Sequence, residues 1–122
     1  MFKIALPILG VSNSFAAERF YCDKLGFHVI YAYRPDPARK DPCWLGVLRD
    51  GAHIVLSSFE ANGPPGRVVQ IYVDDVAAVH REYRAAGVPV KDDILDQDWG
   101  NLEFSFVDPD GNRIEIAQNK GG

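Results

Sequence analysis

The side chains of this 122-residue chain that could do chemistry fall into three sets. The first is a single carboxylate, Glu115, set between Ile114 and Ile116 in an alternating strand-like run, where an acid either meets a ligand or faces solvent. The second is the titratable and thiol groups. Of the three histidines, His53 falls on a cavity-facing register, His28 follows Gly26-Phe27 at a strand start, and His80 reads as lying on the solvent edge of a helix. No Ser, Cys or Asp stands at a spacing that marks a nucleophile triad. Cys22, mid-helix among apolar residues, reads as a buried, inert thiol, and Cys43, beside Pro42 and Trp44 at the mouth of a loop, as an accessible one. Asp92-Asp93 and Asp96-Gln97-Asp98 lack an EF-hand spacing and read as a solvated acidic loop. The third set is aromatic: Tyr31, Tyr33, Trp44, Tyr72 and Trp99 offer flat surfaces for planar or cationic ligands at a low entropy cost. Any one of these in isolation is more often a packing residue. Trp99, in the polar loop Asp-Gln-Asp-Trp-Gly-Asn, has few apolar neighbours in sequence to pack against.

These residues have to be positioned by strands and helices that the pattern also supplies. Lys3 to Leu9 reads as a strand. Ser12 or Asn13 caps a helix of about twelve residues that Leu25-Gly26 closes. Phe27 to Tyr33 is a strand, Arg34 to Pro42 a loop, and Trp44 to Leu48 with His53 to Ser58 a hairpin turning at Asp50-Gly51. After a linker at 60–66 the order returns. Arg67 to Val73 is a strand, and Asp74 or Asp75 opens a helix with Val76, Val79, Tyr83 and Ala86 on one face. A strand is expected near Val88 to Lys91, then a hairpin whose arms, Leu102 to Val107 and Arg113 to Ala117, meet at the turn Asp108 to Asn112.

That return is a repeat. Val11 to Val73 is 62 positions, Gly26 to Gly87 is 61, and Gly51 to Gly111 is 60. Two copies suggest one domain, residues 1–122, built from repeat units 1–59 and 67–118 in a βαβββ order. Because side chains alternate along strands, equivalent positions should look into one cavity, and the offsets select Leu6, Val55, Val68 and Glu115 as the inward set.

Composition narrows the function classes. A chain of this length buries roughly two thirds of its unfolded surface and needs no staples, and its two cysteines fit no disulfide framework or metal motif, pointing to a reducing cytoplasm. A net charge of -4 with no basic stripe argues against nucleic acid, and no run is long and apolar enough for a membrane.

With these residues in view, Val11-Ser12-Asn13, Leu25-Gly26-Phe27, Val73-Asp74-Asp75-Val76 and above all Asp108-Pro109-Asp110-Gly111-Asn112-Arg113-Ile114-Glu115-Ile116, the chain resembles the vicinal oxygen chelate superfamily of glyoxalases, bleomycin-resistance proteins and ring-cleaving dioxygenases. The resemblance implies an α+β fold in which two βαβββ modules form a cupped mixed sheet with helices on its outer face. It also implies that metal-dependent members place three or four His, Glu or Gln ligands at the inward positions. Here those are Leu6, Val55, Val68 and Glu115, and one carboxylate does not hold a catalytic divalent ion. Gln70 and His53 enter such a shell only if both strand registers shift by two residues.

Within the superfamily the chain looks most like the bleomycin-resistance proteins, through Leu6-Pro7, Trp44 to Asp50 and Asp98 to Phe104. That likeness implies a homodimer, exchange of the N-terminal strand at Pro7, and an interface groove matched here by Tyr31, Trp44, Ser57 and Trp99, with Gln70 where the family has a further tryptophan. The reading is a non-catalytic small-molecule binder without a cofactor, sequestering an aromatic or cationic, antibiotic-like compound through Tyr31, Tyr33, Trp44, His53, Ser57, Gln70, Tyr72, Trp99 and Glu115. The alternative is a lyase, isomerase or thiol transferase dependent on nickel, zinc or manganese, with Glu115, Gln70 and His53 as ligands.

Overall fold

Alternating runs become strands here wherever another strand is at hand to complete their hydrogen bonds. A computed structural model of the chain describes residues 1–121. Strands β1 (Ile8–Gly10), β2 (His28–Tyr33), β3 (Trp44–Arg49) and β4 (Ala52–Ser57) make one four-stranded sheet in the order β1-β4-β3-β2. Strands β5 (Val68–Tyr72), β6 (Leu95–Asp96), β7 (Asn101–Val107) and β8 (Arg113–Asn119) make a second, in the order β5-β8-β7-β6. In both, the first strand runs parallel to the last and the other neighbours are antiparallel. These are the two βαβββ modules expected.

Helix α1 (Ser14–Glu18) continues as a wider π turn over Arg19–Lys24, and α2 spans Val76–Ala85. Their starts are set by side chains that accept a free backbone N–H: Asn13 accepts from Ala16 at 3.0 Å, and Asp75 from Ala78 at 3.1 Å. The helices pack with both sheets into a single core. Phe20 meets the ring of Phe106 at 6.3 Å, and Tyr83 meets it at 5.6 Å. The Tyr21 hydroxyl donates to Asp108 at 2.8 Å and the Tyr83 hydroxyl to the Leu25 carbonyl at 2.9 Å, so each helix bonds to the other module. Burial, and for Tyr21 the adjacent Asp108 carboxylate, pushes both phenols up, Tyr83 to about 12. With one face of each sheet inside this core, the opposite faces are left open.

The Asp108–Asn112 turn clasps the modules. The Asp108 carboxylate accepts the N–H groups of Asp110 and Asn112, each at 2.9 Å, around Gly111 at φ +83, a conformation cheap only for glycine. Asp110 accepts from the Ser12 hydroxyl at 2.8 Å, and the buried Asn112 reaches the Gly10 carbonyl at 2.9 Å.

Four local expectations are corrected. The strand foreseen from Lys3 is only Ile8–Gly10, because β1 pairs with β4 in a register, Ile8 opposite Val55, that carries residues before Ala5 past the start of β4. No strand forms at Val88–Lys91. Pro89 has no N–H to give a ladder, and the Val90 N–H turns back to the Val88 carbonyl at 2.7 Å while both valines bury their side chains. His80 is buried, not on the solvent edge, since four residues past Val76 and three before Tyr83 it shares their inward face; its ring meets Phe104 edge-on at 4.9 Å. The cysteines exchange roles. Cys43 is fully buried just before β3, where its N–H donates to the Ser58 hydroxyl at 2.7 Å, and Cys22 is the half-exposed one. Burial pushes both thiols up.

One inter-module contact responds to acid. Arg49 holds Glu82 through both terminal nitrogens, at 2.7 and 2.8 Å, and this hydrogen bonding keeps the Glu82 carboxyl below its ordinary range. A depressed carboxyl contributes stability above its unfolded pKa of about 4.3 and loses it as pH falls through the lower folded value. Both side chains are partly exposed, so screening limits the pair to about 0.5–1 kcal/mol. Glu82→Gln should melt a few degrees below the parent at pH 7, and the two melting curves should converge as pH falls below the ordinary carboxylate range.

Candidate functional site

The open face of the first sheet is decided by a bulge. His28 and Val29 pair with Leu48 and Val47, but Tyr31 pairs with Gly46, so Ile30 is an extra residue in β2. Without it Tyr31 would share the inward face of Val29; with it Tyr31 and Tyr33 turn outward with Gly46 and Trp44. The Tyr31 ring lies over Gly46, where a Cβ would meet ring carbons at 2.2 Å, and its hydroxyl bonds the His53 Nε2 at 2.7 Å. Tyr33 stacks on Phe59, with centroids 6.3 Å apart and an 8° interplanar angle. Trp44, half-buried, sits opposite Tyr33 on one side and Ser57 on the other. Ser57 does not reach an open groove. It is buried, and its hydroxyl donates to the Asn62 side chain at 2.6 Å.

The open face of the second sheet carries Val68, Gln70 and Tyr72 from β5, Arg113 and Glu115 from β8, and Asn101, Glu103 and Ser105 from β7. Val68 and Glu115 of the expected inward set stand on this open face, as Val55 does on that of the first sheet. β5 and β8 pair Gln70 with Glu115 and Val68 with Arg113, and in the first sheet Ile8, not Leu6, lies opposite Val55. Two-residue slips along a strand keep the same face, so alternation alone could not choose between them. Gln70 donates to Glu115 at 3.4 Å, and Arg113 bonds the other Glu115 oxygen at 3.1 Å. The Tyr72 hydroxyl accepts from Asn101 at 3.0 Å.

Glu103 escaped the reading of the sequence. It is buried beside Gln70 and Gln97, accepting from the latter at 3.2 Å. Its signal was present: Asn101, Glu103 and Ser105 alternate with Leu102, Phe104 and Phe106, which puts Glu103 on the face of Glu115.

The chain brings only some of the candidates together. A cleft of about 760 Å³ between the modules is lined by His53 from β4, Gln70 and Tyr72 from β5, and Ile4 to Pro7 of the N-terminal segment. Tyr31, Tyr33, Trp44, Ser57, Glu115 and Trp99 lie outside it. Tyr31 and Tyr33 are on the far edge strand of the first sheet, and Trp99, 67% exposed, is on the turn at the far edge of the second. A divalent ion does not fit the paired positions. Gln70 and Glu115 offer oxygens on one sheet, whereas Ile8 and Val55 on the other offer none, and about three protein donors are needed. No described helix is long and apolar enough to cross a membrane.

The profile of the Glyoxalase/Bleomycin resistance protein/Dioxygenase superfamily matches residues 3–116. TnmS3, an antibiotic binding protein from Streptomyces sp. CB03234, is 30% identical over 98% of both chains, with a TM-score of 0.77. A glyoxalase/bleomycin resistance protein from the same Streptomyces is 32% identical over 95% of this chain and all of its own, with a TM-score of 0.76. The bleomycin-binding protein of Streptomyces verticillus, solved with copper(II)-bleomycin, shares the fold at 24% identity over 95% of both chains and a TM-score of 0.73. No curated protein matches the chain. A match spanning nearly the whole sequence, on a fold of two βαβββ modules, means that this chain belongs to the glyoxalase/bleomycin resistance protein/dioxygenase superfamily.

Proposed function

We propose that this chain is a homodimeric small-molecule binder that holds an aromatic, cationic compound of antibiotic type in a groove and leaves it chemically unaltered. The observation that carries the reading is the division of the four paired positions into Gln70 and Glu115 on one sheet and Ile8 and Val55 on the other. That set favours contact with an organic ligand over the coordination of a metal. The similarity to TnmS3 supports it, being the likeness at 30% identity to a protein described as antibiotic binding.

Dimerisation supplies what one chain lacks. The open sheet faces belong to different modules, and β1 and β5 are edge strands with unpaired backbone groups. Exposed apolar residues cluster there, with Phe2 and Ile4 on the N-terminal segment and Val68, 61% exposed, on β5. A second copy that sets its first sheet beside the second sheet of its partner, with the N-terminal segment crossing at Pro7, covers them and joins the aromatic and acidic faces into one groove.

The test is titration of intrinsic tryptophan fluorescence with a panel of planar aromatic cations, alongside the mass in solution. A dimer and a saturable change in fluorescence that Trp44→Phe diminishes are expected. A monomer whose tryptophans respond to no member of the panel would sink the reading. So would stoichiometric nickel, zinc or manganese that survives purification and is lost in Glu115→Ala.

A further inference from the structure

An acid or amide side chain followed by glycine occurs at Asp50-Gly51, Asn62-Gly63 and Asp110-Gly111. Glycine carries no Cβ to screen its own amide nitrogen, so that nitrogen can reach the carbonyl carbon of the side chain before it. Whether it does so in the folded chain depends on what holds the two groups. Two of the three sites are tied. Asp110 accepts from the Ser12 N–H at 3.1 Å and from its hydroxyl at 2.8 Å, and the Gly111 N–H donates to the Asp108 carbonyl at 3.0 Å. The Asn62 side-chain oxygen accepts from the buried Ser57 hydroxyl at 2.6 Å, and the Gly63 N–H donates to the Glu60 carbonyl at 3.1 Å.

Asp50-Gly51 is untied. Both residues are exposed, and the β3–β4 ladder closes at Arg49 and Ala52, which leaves the Gly51 N–H outside it. Among the described residues no hydrogen bond or ion pair engages the Asp50 carboxylate. Asp50 is also the non-glycine residue held at left-handed φ, +50, a conformation that a side chain adopts at a cost.

We propose that Asp50 is a site of spontaneous isomerisation in the folded chain. The Gly51 nitrogen bonds to Asp50 Cγ, and a carboxyl oxygen leaves as water with the amide proton, closing a succinimide ring. Water then adds at the Asp50 main-chain carbonyl carbon and breaks its bond to the Gly51 nitrogen. The main chain now runs through Cβ and Cγ, one carbon longer, and the former main-chain carbonyl is a free carboxylate. The water released in the first step is taken up in the second, so mass and net charge are unchanged and no other reactant is needed. The lengthened turn is the link that fixes the register of β3 on β4. Arg49 stands just before it and holds Glu82 of the other module, and His53, just beyond Ala52, holds the Tyr31 hydroxyl at 2.7 Å. Both line the cleft, so isomerisation loosens its wall and the Arg49–Glu82 contact.

This inference is independent of the binder reading. The full chain is kept in warm, neutral buffer for several weeks, and isoaspartate at each position is measured by electron-transfer fragmentation of its peptides. Isoaspartate at 50 should exceed that at 110 by at least about fivefold, since the two sites share their chemistry and differ in restraint. In concentrated guanidinium chloride the two rates should agree to within about twofold. At Gly51 an added Cβ meets no atom within 4 Å and φ is not left-handed, so Gly51→Ala should fold as the parent does. By screening the nitrogen it should slow isomerisation at 50 by about tenfold. If Gly51→Ala loses its cooperative melt, Asp50→Glu, whose longer side chain closes a ring less readily, carries the same test. The aged parent should melt a few degrees below fresh protein, and the aged variant should not. No isoaspartate at 50, equal amounts at 50 and 110, a difference that persists in denaturant, or a variant that ages as fast as the parent overturns the assignment. An aged parent that carries the isoaspartate and melts unchanged overturns the loosening of the Arg49–Glu82 contact.

Discussion

Asn112→Ala should lower the melting temperature by roughly 10–20 °C, the largest loss expected from any single polar substitution in this chain. Asn112 is fully buried and each end of its amide is used. Its nitrogen donates to the Gly10 carbonyl and to Asp108, each at 2.9 Å, and its oxygen accepts from Gly66 at 3.0 Å and Arg67 at 2.9 Å. Alanine removes both partners' roles and leaves the buried Gly10 carbonyl of β1 and the part-buried N–H groups of Gly66 and Arg67, on the approach to β5, unanswered. At about 1–3 kcal/mol for each orphaned group, and allowing for water to reach some of them, the loss is about 3–5 kcal/mol. That is a large part of the roughly 5–15 kcal/mol that holds a domain of this kind. Asn112→Asp should not rescue it, since the lost donor faces the Asp108 carboxylate and the new charge repels it. Differential scanning calorimetry checks both. A fall in melting temperature under about 4 °C for Asn112→Ala would show that the clasp is not what joins the modules.

Gly46→Ala should weaken binding of aromatic probes by about tenfold or more while moving the melting temperature only a few degrees. A methyl group at this position would lie 2.2–2.6 Å from three ring atoms of Tyr31, so the ring has to leave. It can do so cheaply, because Tyr31 is on an edge strand and partly exposed, and its main polar tie is the hydroxyl bond to His53. The fold therefore tolerates the change, whereas the aromatic floor of the first sheet is dismantled. Tyr31→Ala, which empties the same space without a clash, should reproduce the loss of binding. If Gly46→Ala binds as the parent does, the open face of the first sheet is not part of the groove.

Much of this molecule could be read from residue order. The caps Asn13 and Asp75, the turns at Asp50-Gly51 and Asp108 to Asn112, and the two βαβββ units are local or periodic, and local chemistry fixes them through capping, alternation and positive φ. The site was less legible. The bulge at Ile30 turns Tyr31 and Tyr33 outward, and nothing in His28 to Tyr33 marks it. The pairing of Gln70 with Glu115, and of Val68 with Arg113, is a choice of register that period-2 alternation leaves degenerate. Ser57 looked available, and it is committed to Asn62 in the following turn. Cys43 looked exposed, and it is buried just before a core strand.

The residue order by itself determined the modules, their turns and the fact that Glu115 would sit beside apolar neighbours, because each follows from contacts within a few positions of the chain. Only the tertiary structure decided which side chains share a face across strands that are 45 positions apart, as Gln70 and Glu115 are, and that Glu103 would be enclosed there without a cation. The physical reason is that strand register and burial are settled by partners distant in sequence, which alternation constrains to a face but not to a position.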